Sequence, residues 1–333
     1  MLINEQLSIY RVKLTLPYKL NHINCYAIQG NDGWCLIDTG LNTEESRKAW
    51  LQFMHDHRIS GSDVKGIYIT HAHPDHIGAA GWLQQLSGAP VFISAVDAEE
   101  MTRVWQGSGQ KVTERVSELL ISNGMPPDLI GKVTQDIGQT AYYTQPHPVL
   151  SMIEPGTLVQ LGDFQYTAVF TPGHSDGHMC YFNQRYGILF SGDHLLAKIT
   201  SNISLWPDGE PDPLQNYLKS LNSIRSLPCR SVLPAHGALF ANMQLRISEL
   251  EDHHYQRLKL LKECASGGAT VYKICRQAFG QELDPGELRF AMTETLAHLM
   301  YLVYRRELIV LERDGIKLFS EPLDKGNSLQ KGF

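Results

Sequence analysis

The chain has 333 residues, of which 43 % are hydrophobic and 19 % charged, with a formal net charge of −6. It is long enough for one large domain with an appendage, or for two domains, with a sizeable core. The acidic balance argues against general affinity for nucleic acid or anionic membrane. The six cysteines form no C-x-x-C pair, which excludes a zinc ribbon and a thioredoxin-like site.

Met1 to Tyr10 lacks a basic stretch followed by an apolar core. No signal peptide and no spanning segment are expected, and a cytoplasmic setting with reduced thiols follows as the expectation. Leu7 to Leu16 roughly alternates apolar and polar residues and predicts a strand. Cys25 to Gln29 and Trp34 to Ile37 are two more, with Asn31-Asp32-Gly33 as the hairpin turn between them. Asp38-Thr39-Gly40 ends the second of these. Asn42 with Glu45 resembles a capping box, and Ala49, Trp50, Phe53 and Met54 mark the apolar face of a helix.

Val64 to Thr70 is rich in β-branched and aromatic residues and predicts a buried strand. His71-Ala72-His73-Pro74-Asp75-His76 follows, then a helix-like stretch from Ile77 to Leu86. Imidazole and carboxylate are good ligands for zinc, iron and manganese. In an extended loop alternate residues project to one side, so His71 and His73 can hold one ion together. Asp75 and His76 come after the turn at Pro74 and can serve a second ion nearby. One such cluster cannot complete two metal shells, so further ligands must come from elsewhere.

Val91 to Ser94 is a short strand. From about residue 97 to 148 the pattern turns helical and ends near Tyr142 and Tyr143, which are candidate substrate-binding residues in a pocket-forming insert. β character returns at Leu158 to Leu161, Tyr166 to Phe170, Met179 to Phe182 and Ile188 to Ser191. A helix opened by Asp212-Pro213 carries Leu214, Tyr217, Leu218 and Leu221 on one stripe, and Val232-Leu233 is a last short strand. Thr171-Pro172-Gly173-His174, Ser191-Gly192-Asp193-His194 and Leu233-Pro234-Ala235-His236-Gly237 each place a ligand-type side chain just after a strand. With the first loop, these would build one site at a sheet edge.

The set His71-x-His73-x-Asp75-His76, His174, Asp193 and His236, in that order, resembles the ligand set of the metallo-β-lactamase superfamily. Asp38-Thr39-Gly40 matches that family's early turn, and the resemblance covers about Leu7 to Phe240. It implies an α/β fold, a four-layer αββα sandwich of two mixed sheets with helices outside. It also implies two divalent ions, zinc first and iron or manganese next. His71, His73 and His174 would hold one ion, Asp75, His76 and His236 the other, and Asp193 would bridge them. A hydroxide shared by the ions would be the nucleophile, with Asp75 orienting it as a catalytic residue. His178 is a further candidate, either for the substrate-binding set or as a partner behind the ligands.

Helical character dominates from Asn242 onward, and Leu308 to Glu312 with Ile316 to Phe319 flank a turn at Arg313-Asp314-Gly315. Three helices and a hairpin resemble a winged-helix module. The domains expected are a catalytic one at 1–245, with its insert at about 97–148, and a C-terminal one at 246–333. From Glu251 onward, Lys and Arg are as many as Asp and Glu, so packing or homodimer formation is favoured over nucleic-acid binding there. The stretch Thr171 to Phe182 resembles glyoxalase II thioesterases and a group of β-lactamase-like endoribonucleases. The expected function is hydrolysis of a small ester or thioester, with phosphodiester or RNA cleavage as the alternative. A lactonase and a non-catalytic metal-binding scaffold come behind these. Leu195-Leu196-Ala197 stands where lactonases usually place a tyrosine.

Overall fold

Buried runs interrupted by turn residues set the first sheet. The structure is a computed structural model and describes residues 1–106 and 109–322. Residues 107–108 of the expected insert and 323–333 of the expected C-terminal domain lie outside the described residues. The first sheet runs in chain order: β1 (Leu2–Asn4), β2 (Ile9–Thr15), β3 (His22–Gly30), β4 (Gly33–Ile37), β5 (Val64–Tyr68), β6 (Val91–Ser94) and β7 (Leu150–Ile153). The β3–β4 hairpin closes with Gly30 opposite Gly33, so the turn is Asn31-Asp32. The pairs β4–β5, β5–β6 and β6–β7 are parallel. Parallel neighbours need crossovers, which helices α1 (Glu44–Asp56) and α3 (Ala80–Ser87) supply for the first two; the one-turn α2 (Pro74–Ile77) lies between them.

The second sheet has the order β12 (Ser231–Pro234), β11 (Ile188–Gly192), β10 (Met179–Asn183), β9 (Phe164–Phe170), β8 (Leu158–Leu161). Only β11–β12 is parallel, across helix α7 (Pro213–Ile224). Ile9, Tyr26, Ile28 and Ile37 of the first sheet form one buried cluster with Leu161, Tyr166, Tyr181 and Phe190 of the second. The two sheets therefore pack face to face. The other face of the first sheet buries Trp50 and Phe53 of α1 and Leu83 of α3. On the outer side of the second sheet, the Ser220 hydroxyl of α7 donates to Pro172 O at 2.8 Å. These are the four layers expected.

Helix α1 is capped one residue later than the sequence suggests. Thr43, not Asn42, accepts from the Ser46 N–H at 3.1 Å, while the Asn42 side chain reaches the Gln145 carbonyl. The Trp50 indole N–H donates to Thr39 O at 2.9 Å, which ties α1 to the turn at Asp38–Gly40. Fully burying such a side chain contributes up to roughly 3 kcal/mol.

The chain divides into two compact units. The first takes Met1–Thr113, Asp136–Ile203 and Gln215–Leu250, and the second takes Glu114–Gln135, Ser204–Leu214 and Glu251–Phe333. A single boundary near residue 245 does not describe this division. The second unit contains helices α9 (Val271–Phe279) and α10 (Pro285–Tyr304), and the antiparallel pair β13 (Ile309–Arg313) and β14 (Ile316–Ser320). It draws in the two earlier segments through polar groups. Tyr272 N–H donates to Asn123 O at 3.1 Å, Leu205 N–H to Thr293 O at 3.1 Å, and Arg289 to Val133 O at 3.4 Å. Each is a long-range bond that local periodicity cannot announce. Helix α8 (Met243–Ala265) contributes residues to both units, and helices α4 (Ala95–Glu100), α5 (Gly109–Ser122) and α6 (Pro127–Tyr142) complete the set used below. Among the described residues, no helix is long and apolar enough to cross a membrane.

The second unit buries a histidine pair. His298 Nδ1 lies 2.8 Å from Glu294 O, which can only accept, so Nδ1 carries the proton and Nε2 offers a lone pair. His254 Nδ1 then donates to His298 Nε2 at 3.0 Å. Burial pushes His254 down to about 2, helped by His298, His253 and Arg257. Burial also pushes His298 down to about 4, against its bond to Glu294 and with Arg257 and His253 assisting. Both rings stay neutral in the folded chain while the unfolded chain takes up protons below about pH 6.5. Stability is therefore lost as pH falls from about 6.5 toward 4. The double variant His254→Gln/His298→Leu should show a flatter fall in melting temperature between pH 6.5 and 4.5 than the wild type. Parallel curves would remove the pair from the account.

Candidate metal centre

The first ligand loop begins where β5 ends. His73 caps α2 in extended conformation and Pro74 opens the helix, so Asp75 and His76 ride on a helical turn. His71 and His73 remain on the extended part, and the turn brings the His76 ring back to 3.8 Å from that of His71. His174 follows β9, Asp193 follows β11 and His236 follows β12. The site thus stands at the strand ends of both sheets, not along the edge of one. All seven expected ligands come together in three overlapping groups: His71, His73 and His174; His71, His76 and Asp193; Asp75, His76 and His236. Within each group the ligand atoms lie within 4.8 Å of one another.

Backbone and neighbouring side chains aim these atoms. His174 Nδ1 lies 2.9 Å from Asn202 O and His236 Nδ1 lies 2.8 Å from His22 O, so in each ring Nδ1 carries a proton and Nε2 is the atom turned inward. Asp38 Oδ2 accepts from His76 Nδ1 at 2.8 Å. Asp38 Oδ1 accepts from the Thr70 N–H at 2.8 Å, and the Thr70 hydroxyl is 3.0 Å from His71 Nδ1. Asp38 holds φ at +56°, the left-handed region that favours residues able to bond their own surroundings. His71 Nε2 and His73 Nδ1 stand 3.0 Å apart. Asp193 divides its oxygens: Oδ2 is 3.4 Å from His174 Nε2, while Oδ1 is 3.4 Å from His236 Nε2 and 3.7 Å from His76 Nε2. Asp75 Oδ2 is 3.4 Å from His236 Nε2.

Four of these inward atoms are buried without a hydrogen-bond partner: Nε2 of His76, His174 and His236, and Oδ1 of Asp193. Buried polar atoms without a close partner are costly, and these, with each Nε2 3.4 to 3.7 Å from an Asp193 oxygen, are spaced to hold a cation. Nitrogen and carboxylate donors in this number suit a divalent transition metal. The residues present fit the metal that their pattern implies.

Protonation divides the cluster. Burial holds His71 well below its ordinary value, holds His73 down at about 3 and lowers His174, so these three offer lone pairs at neutral pH. Burial opposes charge on His76 and His236 too, but carboxylates outweigh it. Asp38, Asp75 and Asp193 hold His76 well above its usual value, and Asp193 with Asp75 pushes His236 up to about 10. Burial would raise Asp75 and Asp193, yet His76 and His236 keep Asp75 at about 2 and Asp193 well below the carboxylate range.

The other expected residues lie elsewhere. His178 is fully buried, with Nδ1 2.9 Å from the Thr171 hydroxyl and Nε2 accepting from the Asp193 N–H at 3.2 Å. It stands behind Asp193, closed off from solvent. Gly192, at φ +51°, permits this approach, since a Cβ there would meet His178 Nε2 at 2.6 Å. Tyr142 is 70 % exposed and lines a surface cavity of about 300 Å³ with Asn42, Arg47, Gln145 and Pro146. Tyr143 is partly buried against the core, and its carbonyl accepts from the Asn42 N–H at 2.9 Å. Neither tyrosine joins the ligand cluster. Sequence reasoning missed Asn24 and Tyr26. The Asn24 amide donates to Gly237 O at 3.0 Å and the Tyr26 hydroxyl to Pro234 O at 2.7 Å, so β3 grips the loop carrying His236. Only their place on a strand that proves to lie beside β12 would have revealed them.

Two packed sheets bearing a His/Asp cluster on their strand-end loops define a metallo-hydrolase architecture. The chain belongs to the metallo-beta-lactamase superfamily, whose family model matches residues 18–236, and residues 258–322 match a metallo-beta-lactamase-like C-terminal domain. A metallo-beta-lactamase family protein from Thermus thermophilus is similar in structure, with a TM-score of 0.85, 28 % identity and coverage of 95 % of this chain and 99 % of that one. The probable metallo-hydrolase YqjP of Bacillus subtilis (strain 168) is 26 % identical over 297 residues, 88 % of this chain and 91 % of its own. The atrochrysone carboxyl ACP thioesterase dmxR1 of Cryptosporiopsis sp. (strain 8999) is 26 % identical over 334 residues, 94 % of this chain and 85 % of its own.

An ion held by His76 and His236 must displace their protons, so its affinity falls with falling pH. Each displaced proton costs about 1.4 kcal/mol per pH unit. Titrating metal-free protein with a divalent metal at pH 7.5 should release about two protons per chain, read by calorimetry in buffers of different ionisation enthalpy. Release near zero would mean that His76 and His236 are not ligands.

Proposed function

We propose that the chain holds two divalent metal ions, zinc first, and hydrolyses a small ester or thioester. The observation that carries the reading is the convergence of the orphaned His76, His174 and His236 Nε2 atoms on a carboxylate, Asp193, whose two oxygens face different ligand groups. Two ions close together repel strongly, and a carboxylate shared between them offsets that repulsion. Bound there, divalent ions activate water at neutral pH and polarise the substrate carbonyl.

The chain's own residues supply the rest. His71, His73 and His174 present neutral lone pairs from buried or half-buried positions. Asp38 fixes the His76 ring by accepting from Nδ1, which leaves Nε2 as the atom that would bind. Asp75 is the carboxylate of the cluster most open to solvent, with 22 % of its side chain exposed against 11 % for Asp193. Its role in this reading is to orient the attacking water toward the substrate carbonyl. A thiolate is the better leaving group, and the similarity to a protein named as a thioesterase extends over 94 % of this chain. Acyl thioesters therefore stand first among substrates.

The test is a panel of acyl thioesters, esters, lactones, phosphodiesters and short RNAs, given to zinc-reconstituted protein. Turnover of thioesters should exceed that of the other classes by at least about tenfold, roughly 1.4 kcal/mol in transition-state binding. Preference for phosphodiesters or RNA would replace this reading with the nuclease one. Absence of turnover on every class would favour a metal-binding scaffold.

A further inference from the structure

Asp97 stands on α4, where the Ser94 hydroxyl caps the helix by accepting from the Asp97 N–H at 3.1 Å. Its side chain is 0 % exposed. Oδ2 accepts from the Ala72 N–H at 2.8 Å and from the Ser175 hydroxyl at 2.9 Å. Oδ1 accepts from the Gly177 N–H at 2.8 Å. Ala72 stands between the ligands His71 and His73, and Ser175 directly follows the ligand His174. One carboxylate therefore joins two ligand loops that leave different sheets.

The backbone already ties these loops near their strands, where the Met179 N–H donates to Thr70 O at 2.8 Å. That bond lies several residues from His174 and cannot fix its distance from His73. Asp97 ties the loops at the ligand end. Its surroundings leave little slack: a Cβ on Gly177 would meet Asp97 Oδ1 and Ser94 Oγ at 2.4 Å. The chemistry is equally specific. All three partners are donors, so the group between them must only accept, as an ionised carboxylate does. An amide would turn its own N–H against the N–H of Ala72 or Gly177.

We propose that Asp97 is a positioning residue that sets the spacing of His71, His73 and His174 for a metal ion. It acts through the loops and touches no ligand atom. The inference rests on the metal-centre reading above. A merely structural Asp97 would lower stability and weaken every metal site alike. A positioning Asp97 weakens the His71/His73/His174 group selectively.

Cobalt(II) binding separates the two. In a His236→Ala background the intact group is His71, His73 and His174, and in a His73→Ala background it is Asp75, His76 and His236. Cobalt affinity in each is read from visible absorption, and fold from circular dichroism. Adding Asp97→Asn should lower affinity about 10- to 100-fold in the His236→Ala background and by less than about twofold in the other. Equal loss in both, or no loss in either, overturns the proposal. Should Asp97→Asn fail to fold, Ser175→Ala removes one of the three bonds without burying an uncompensated group. It should lower affinity about fivefold in the His236→Ala background alone, and equal or absent loss there overturns the proposal as well. Fewer than two cobalt ions per wild-type chain would sink the two-ion reading, while the ratio in the His236→Ala background would still decide the role of Asp97.

Discussion

Asp38 and His76 share a 2.8 Å hydrogen bond at a point where both side chains are buried from solvent, at 2 % and 0 % exposure. Through it the hydrophobic architecture and the metal chemistry meet. Asp38 is held by the end of β4, by the Thr70 N–H, and by the α1 contact that anchors Thr39 through Trp50. The Thr39 N–H and hydroxyl in turn donate to His76 O at 2.8 and 2.7 Å. His76 is thereby gripped at both its ring and its backbone carbonyl, and Nε2 points inward. A buried carboxylate without such donors would be costly, so the site and the strand ends that supply the donors depend on each other. Loss of packing at Trp50 would reach the ligands by this route.

The same logic explains the use of two sheets. The His71–His76 loop belongs to the first sheet and the His174, Asp193 and His236 loops to the second. A cluster of imidazoles and carboxylates this dense is unfavourable in a single flexible loop. Four strand ends share the cost, and two of them fix their ligand-type ring through a bond to backbone: Asn202 O for His174, His22 O for His236. The ligand set is preorganised, as a hydrolytic centre requires, because a site rebuilt at each turnover would lose the ordering free energy each time.

The His and Asp residues that come together were legible from the chain alone. His-x-His-x-Asp-His after a β-branched run, and Gly- or Pro-marked loops ending in His174, Asp193 and His236, carry their chemistry in residue type and position. The strands were legible too, because β3, β4 and β11 bury side chains in runs that turn residues interrupt. What stayed hidden is nonlocal. The role of His178 depends on which face of its loop is covered, and β11 decides that. Asn24 and Tyr26 read as ordinary strand residues until β3 is seen beside the His236 loop. Residues 114–135 and 204–214 read as parts of the catalytic domain until their bonds to α9 and α10 assign them to the second unit. Asp97 reads as the start of a helix, and nothing in its neighbours announces that it faces Ala72 and Ser175. Tyr142 and Tyr143 mark the end of α6, but the pair lies outside the cluster.

In the proposed centre Asp193 would be the group common to both halves, and the substitution Asp193→Asn addresses this most directly. It keeps the side chain's size and removes its charge, while Ile188, Leu189 and Phe190, all buried, hold β11 in place. Metal content, circular dichroism and turnover of the best substrate are to be measured on one sample. The account predicts native ellipticity, a metal content falling from about two ions toward one, and a kcat reduced by at least about a hundredfold. A variant that keeps two ions and near-wild-type turnover would contradict the bridging role and the mechanism built on it.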